Sequence, residues 1–184
     1  IMHPAGFDVS LDRPLDFYGV TDHGTFLGQV GEAATPGTPY YDAPSSFQVN
    51  DINSPENLNT STNNRRREAF GGFLANTITA LRQGKIKMSY ADRVSRDAWT
   101  ETVAAAQRHN NPGTFTTFIA YEYTASTPNM GNLHRNVIFK GDNNLIPSVP
   151  YGRGNSNDPE GLWKWMDRLR EDGIESLAIP HNSN

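Results

Sequence analysis

The sequence predicts an α/β protein in which helices cover a sheet or barrel. Three observations carry this. Short apolar runs of strand length alternate with longer segments of helical period. The order along the chain is strand, two helices, two strands, helix, strand. Three of the apolar runs end in ionisable residues, as strands do when an active face is built from their carboxyl ends.

The first strand is Leu15 to Val20, LDFYGV, bounded by Pro14 and by Thr21-Asp22-His23-Gly24. Its apolar content predicts a buried strand. From about residue 24 to 64 the chain is rich in Pro, Gly, Ser, Thr and Asn and has little periodicity. It reads as a long irregular insertion, pinned to the body by Tyr40, Tyr41 and Phe47. A helix follows over about 65–83, with Phe70, Phe73, Leu74, Thr77, Ile78 and Leu81 on one stripe and Gly84 as its stop. The run Arg65-Arg66-Arg67 reads as the solvated start of that helix.

A second helix runs from about Asp92 or Ser95 to His109. Val94, Ala98, Trp99, Thr102, Val103 and Ala106 share a face, and Asn110 to Gly113 end it. His109, at the helix end, is read as structural, a cation there opposing the dipole. Phe115 to Thr124, FTTFIAYEYT, is dense in aromatic and β-branched residues and reads as a strand. His134 to Phe139 reads as its hairpin partner, with the tip near Pro128. That tip places Glu122 and His134 near each other across the pair. Asp158 is an N-cap with Pro159 at the first helical position. Leu162, Trp165, Met166 and Leu169 follow at helical spacing as far as Gly173. Ser176 to Ile179 reads as a final buried strand running into Pro180-His181.

The whole is read as one partial domain, 1–184. Its 36% hydrophobic and 10% aromatic residues support a packed core. The net charge of −4 shows no bias toward nucleic acid, and none is expected as a partner. No apolar run reaches the roughly 18–20 residues that span a bilayer, so no membrane partner is expected. The absence of cysteine excludes disulfides, thiolate zinc sites and cysteine nucleophiles. It fits cytoplasm or periplasm equally.

His23, Glu122 and His181 follow or lie within three apolar strands, and His134 joins them through the hairpin. Imidazoles with a carboxylate at such a face suit divalent metals. Asp22, Arg135 and Arg153 are candidate substrate contacts. Two other readings stay open. Asp22 and Glu122 can be an acid/base pair of a carboxylate-based glycoside hydrolase, with Tyr121, Tyr123, Trp163 and Trp165 beside the sugar. The chain can also be a non-catalytic binding or scaffold module.

The segments RPLDFYGVTDHGTFLG, FTTFIAYEYTAS, NLHRNVIFKG and LAIPHNSN together resemble a bacterial domain-of-unknown-function branch of the PHP (polymerase and histidinol phosphatase) superfamily. These are amidohydrolase-like metalloenzymes. The resemblance implies a distorted, TIM-barrel-like (β/α) barrel. It implies up to three zinc, manganese or iron ions and hydrolysis of a small-molecule phosphate ester by metal-bound hydroxide. His23, Glu122, His134 and His181 would be metal ligands, with Glu122 bridging two ions; His23, Glu122 and His181 carry the catalytic assignment. The superfamily's opening His-x-His and closing Asp-x-His motifs are missing, so the chain is expected to be an internal piece of the barrel, truncated at both ends.

Overall fold

The structure is a computed structural model and describes residues 7–43, 64–127, 131–141, 145–152, 155 and 158–181. The chain divides into two compact units, Ile1–Pro14 with Gly28–Val94, and Leu15–Leu27 with Ser95–Asn184.

The first unit is helical. It holds α1 (Gln29–Ala33), α2 (Asn64–Arg82) and the first turns of α3 (Met88–His109). The predicted apolar stripe of α2 is present where its side chains are described. Phe73 and Thr77 are fully buried, and Leu74 and Leu81 pack on the same core. Tyr40 is buried too, as the sequence predicts, and its hydroxyl donates to Gln29 Oε1 at 2.7 Å. Burial pushes the Tyr40 phenol far above its ordinary range, so it stays a neutral donor. The insertion is therefore not wholly irregular, since α1 and Tyr40 build part of this core. Phe47 and the side chain of Phe70 lie outside the described residues.

Among the described residues, the second unit holds the remaining turns of α3, five strands and α4 (Pro159–Glu171). Helix α4 begins as predicted: Asp158 accepts a hydrogen bond from the Glu160 N–H at 3.0 Å, with Pro159 at the first turn. Leu162, Met166 and Leu169 are its buried face. The strands are β1 (Phe17–Gly19), β2 (Thr116–Phe118), β3 (Ala120–Thr127), β4 (Gly131–Lys140) and β5 (Glu175–Pro180). Strand β1 pairs with β2 in parallel, and β3-β4-β5 form an antiparallel sheet. Thus β1, β3 and β5 share a direction, and β4 runs back between two of them.

The core of this unit lies on one face of the antiparallel sheet. Side chains alternate along a strand, so Tyr121, Tyr123 and Ala125 of β3 join Val137 and Phe139 of β4 there. Trp99, Leu162, Met166 and Leu169 cover them. The opposite face carries Glu122, Thr124, His134, Ile138, Leu177 and Ile179.

Three expectations are corrected. First, the fold is not a barrel. Among the described residues it is a small mixed α/β fold with two open sheets. Among the described residues β1 pairs only with β2 and β5 only with β4, whereas closure requires the terminal strands to pair. The expected PHP-type and TIM-barrel-like architecture is therefore absent. A hairpin links β3 to β4 where a (β/α) barrel needs a helical crossover between parallel strands. Secondly, the first and last strands are not buried. Phe17 is 64% exposed and Leu177 51%, because an apolar strand is buried only where another layer covers it. Thirdly, the single strand predicted over Phe115–Thr124 is two strands interrupted at Ile119.

Candidate metal centre

The site is assembled by backbone pairing before any side chain meets another. The parallel register that aligns Phe17 with Thr116 and Gly19 with Phe118 continues past β1 to an isolated parallel bridge between His23 and Glu122. The Glu122 N–H donates to the Asp22 carbonyl at 2.8 Å, and the Gly24 N–H donates to the Glu122 carbonyl at 2.9 Å. These two bonds clamp His23 alongside Glu122.

The other two histidines arrive through β4 and β5. The β3–β4 register aligns Thr124 with His134 and Glu122 with Asn136. The hairpin is therefore shifted by two residues from the pairing expected of a tip at Pro128. A shift of two keeps a residue on its face, so Glu122 and His134 meet diagonally. In the β4–β5 register Arg135 aligns with Pro180, and one step further brings His134 opposite His181. Their ring centroids are 5.9 Å apart.

The three histidines predicted as ligands converge on the carboxylate of the fourth, Glu122. His134 Nδ1 lies 2.7 Å from Glu122 Oε1, His181 Nε2 3.1 Å from the same oxygen, and His23 Nδ1 3.4 Å from Oε2. His23, Glu122 and His134 each offer a ligand atom, all within 4.8 Å of one another, and the group is capable of holding a metal ion. Glu122 is buried, His134 is partly covered, and His23 and His181 are exposed, the His23 side chain by 50%. The cluster is thus closed beneath the carboxylate and open at His23 and His181. A buried carboxylate without compensating positive charge is costly, and a cation held by these residues would supply that charge.

Thr124 escaped the sequence reading. Its Oγ1 lies 2.8 Å from His23 Nδ1 and 3.2 Å from His134 Nδ1. A threonine in a strand is ordinary for its β-propensity, and only its spacing of two from Glu122 pointed to the same face.

Of the candidate substrate contacts, Asp22 and Arg135 face away from the cluster. Asp22 lends its carbonyl to Glu122, but it lines a cavity of about 390 Å³ with Tyr18, Glu101, His109 and Phe118. None of the three histidines lines that cavity, so Asp22 and Glu122 face different surroundings. Arg135 belongs to the opposite face of β4. Its guanidinium donates to the His134 carbonyl at 3.0 Å and lies over the Trp163 ring at 5.7 Å. Arg153 lies outside the described residues.

Gly24 shows how closely the site is seated on the core. A Cβ added there would stand 3.0 Å from Tyr121 Cδ2 and 3.3 Å from Cε2. The Tyr121 ring is fully buried between Trp99 and Phe139 and has little freedom to yield. Gly24→Ala is therefore expected to destabilise the protein by about 1–3 kcal/mol. It should also weaken metal binding, because the strain falls on the residue after His23. Urea unfolding and a zinc titration of the variant check both. Wild-type values in the two measurements would mean that the Tyr121 ring moves freely.

The family model described as "Protein of unknown function (DUF3604)" matches residues 1–184. No curated protein and no solved structure matches the chain. The resemblance to the PHP superfamily is thereby corrected. The whole chain matches a different family description, and the sheets do not close into the barrel that the superfamily requires.

Proposed function

The chain belongs to the DUF3604 family, and we propose that it is a metal-dependent hydrolase acting on a phosphate ester. His23, Glu122 and His134 hold the divalent ion, with His181 as a further ligand. The observation that carries this reading is the convergence of three imidazole nitrogens on one buried carboxylate, within 3.4 Å of its oxygens.

The donor set is all nitrogen and oxygen, which suits zinc, manganese or iron. Neutral imidazoles with a single carboxylate leave a divalent ion with net positive charge. That charge favours an anionic group such as a phosphoryl, and the exposure at His23 gives it an approach. A bound ion supplies Lewis acidity toward phosphoryl oxygens. The chain's own part is to orient the ligands. Glu122 is held at its backbone by Asp22 and Gly24, and His134 is held at its carbonyl by Arg135. Asp22 lines a cavity that Glu122 does not line, which favours the metal reading over a glycoside hydrolase built on that carboxylate pair. Among the described residues no helix is long and apolar enough to cross a membrane.

The test is metal stoichiometry joined to activity. Protein stripped with a chelator and dialysed against Zn²⁺ or Mn²⁺ is expected to retain at least one equivalent. It should then hydrolyse a generic nitrophenyl phosphate ester, and chelator should abolish the activity. Protein that takes up no metal overturns the proposal. Metal uptake without hydrolysis of any phosphate ester would leave a binding module in place of an enzyme.

A further inference from the structure

We propose that Asn136 is a substrate contact of this centre: its carboxamide donates a hydrogen bond to an oxygen of the phosphoryl group that the site receives. The proposal rests on the metal-dependent reading above. It adds a recognition residue that ligates nothing itself.

The strand registers set this face of the sheet in two rows. The first row is His23, Glu122, Asn136 and Ile179, joined by the isolated parallel bridge and by the β3–β4 and β4–β5 pairings. The second is Thr124 and His134, with His181 one step past the Arg135–Pro180 pair. Side chains paired directly across two strands share a face, with Cβ atoms about 5 Å apart. Asn136 therefore stands beside Glu122, and two residues from His134 on the same side of β4. From the end of β5, His181 Nε2 comes within 3.1 Å of Glu122 Oε1 on β3. The line between those two residues crosses β4 between His134 and Asn136. Asn136 thus adjoins three of the four candidate ligands.

Packing and propensity do not account for an asparagine here. Strand β4 is the central strand of its sheet, and asparagine is depleted in strands. The residue is half-buried, and among the described residues its carboxamide has no hydrogen-bond partner. The neighbours on this face supply none: Ile138 and Ile179 are apolar, and Glu122 Oε1 already faces His134 and His181. Withdrawing a polar group from water without a partner is unfavourable, so a ligand that brings an acceptor gains from meeting it. The amide nitrogen only donates, which suits an anionic oxygen, and carboxamides serve such oxygens well as fixed donors. A carboxamide is also uncharged. It offers a donor next to a divalent ion without the repulsion that a lysine or arginine in the same place would bring.

The experiment compares the wild type with Asn136→Leu, which has a similar size and no donor, and with Asn136→Gln, which keeps the amide. Asn136→Ala reports the same loss should the leucine variant not fold. Three quantities are measured: urea unfolding of the metal-free protein, Zn²⁺ affinity in competition with a chromophoric chelator, and calorimetric titration of the zinc-loaded protein with inorganic phosphate. Asn136→Leu should be as stable as wild type, because no hydrogen bond is lost, and should bind zinc within about threefold of it. Its phosphate affinity should fall about tenfold, as for losing a hydrogen bond to a charged group, and Asn136→Gln should recover most of that. Wild-type phosphate affinity in Asn136→Leu and Asn136→Ala overturns the inference, as does a wild type that holds zinc but no phosphate. Loss of stability or of zinc affinity alongside phosphate would make Asn136 a structural residue and overturn it too. A wild type that holds no zinc instead overturns the metal reading, and this contact falls with it.

Discussion

Glu122→Gln is expected to lower zinc affinity by about 100-fold or more, roughly 3 kcal/mol, while leaving the fold intact. Glu122 is the carboxylate on which three histidines converge, at 2.7, 3.1 and 3.4 Å. Glutamine has nearly the same shape but no charge, and one of its two terminal atoms is a donor that cannot ligate a cation. The main-chain bonds to Asp22 and Gly24 do not involve the side chain and should persist. Stability of the metal-free protein should therefore change little. It can even rise, because the variant removes a buried charge. Isothermal titration with Zn²⁺, set beside thermal unfolding of the stripped protein, separates the two effects. An affinity within threefold of wild type would remove Glu122 from the ligand set and sink the proposed centre. A collapse in stability would mark the carboxylate as structural.

Trp99→Ala should produce the largest loss of stability, about 3–5 kcal/mol in urea unfolding, as expected for removing a large buried aromatic side chain. Trp99 is 2% exposed. Its ring packs edge-on against Tyr121 at 5.9 Å and lies 6.3 Å from Phe139, and its Nε1–H donates to the Pro147 carbonyl at 2.8 Å. Tyr121 and Phe139 stack on each other across β3 and β4, at 6.2 Å. Trp99 thus backs the two strands whose other face carries Glu122 and His134. The variant should lose metal affinity as well as stability, through loosened strands rather than a lost ligand. Trp99→Phe keeps most of the packing and drops the N–H donor, so it should cost less, about 1–3 kcal/mol for the unpaired carbonyl. A Trp99→Ala variant within about 1 kcal/mol of wild type would show that the cavity is refilled by the neighbours.

Much of this molecule is written locally in its residues. The Asp158-Pro159 start of α4, its buried stripe of Leu162, Met166 and Leu169, and the aromatic strand around Tyr121 all follow from neighbours within a few positions. The candidate ligands were legible for the same reason: His23, Glu122, His134 and His181 each sit in or beside an apolar run of strand length. Their convergence was an expectation from topology, and it holds even though β4 runs antiparallel to the strands on either side of it.

Other features depended on pairing between distant segments. The two-residue displacement of the β3–β4 register turned a direct Glu122–His134 pair into a diagonal one and put Thr124 opposite His134. The same parallel register that starts at Phe17 carried His23 to Glu122, and with it to the hydroxyl of Thr124. The barrel expectation failed at this level too. Apolar strands such as Phe17–Gly19 and Glu175–Pro180 record a propensity to pair and to be covered, but not with what. Propensity, capping and periodicity act over a turn of helix or a few strand residues, so the sequence carries them directly. Register, edge partners and sheet closure are decided by hydrogen bonding and burial between segments up to about a hundred residues apart, and those contacts exist only in the folded chain.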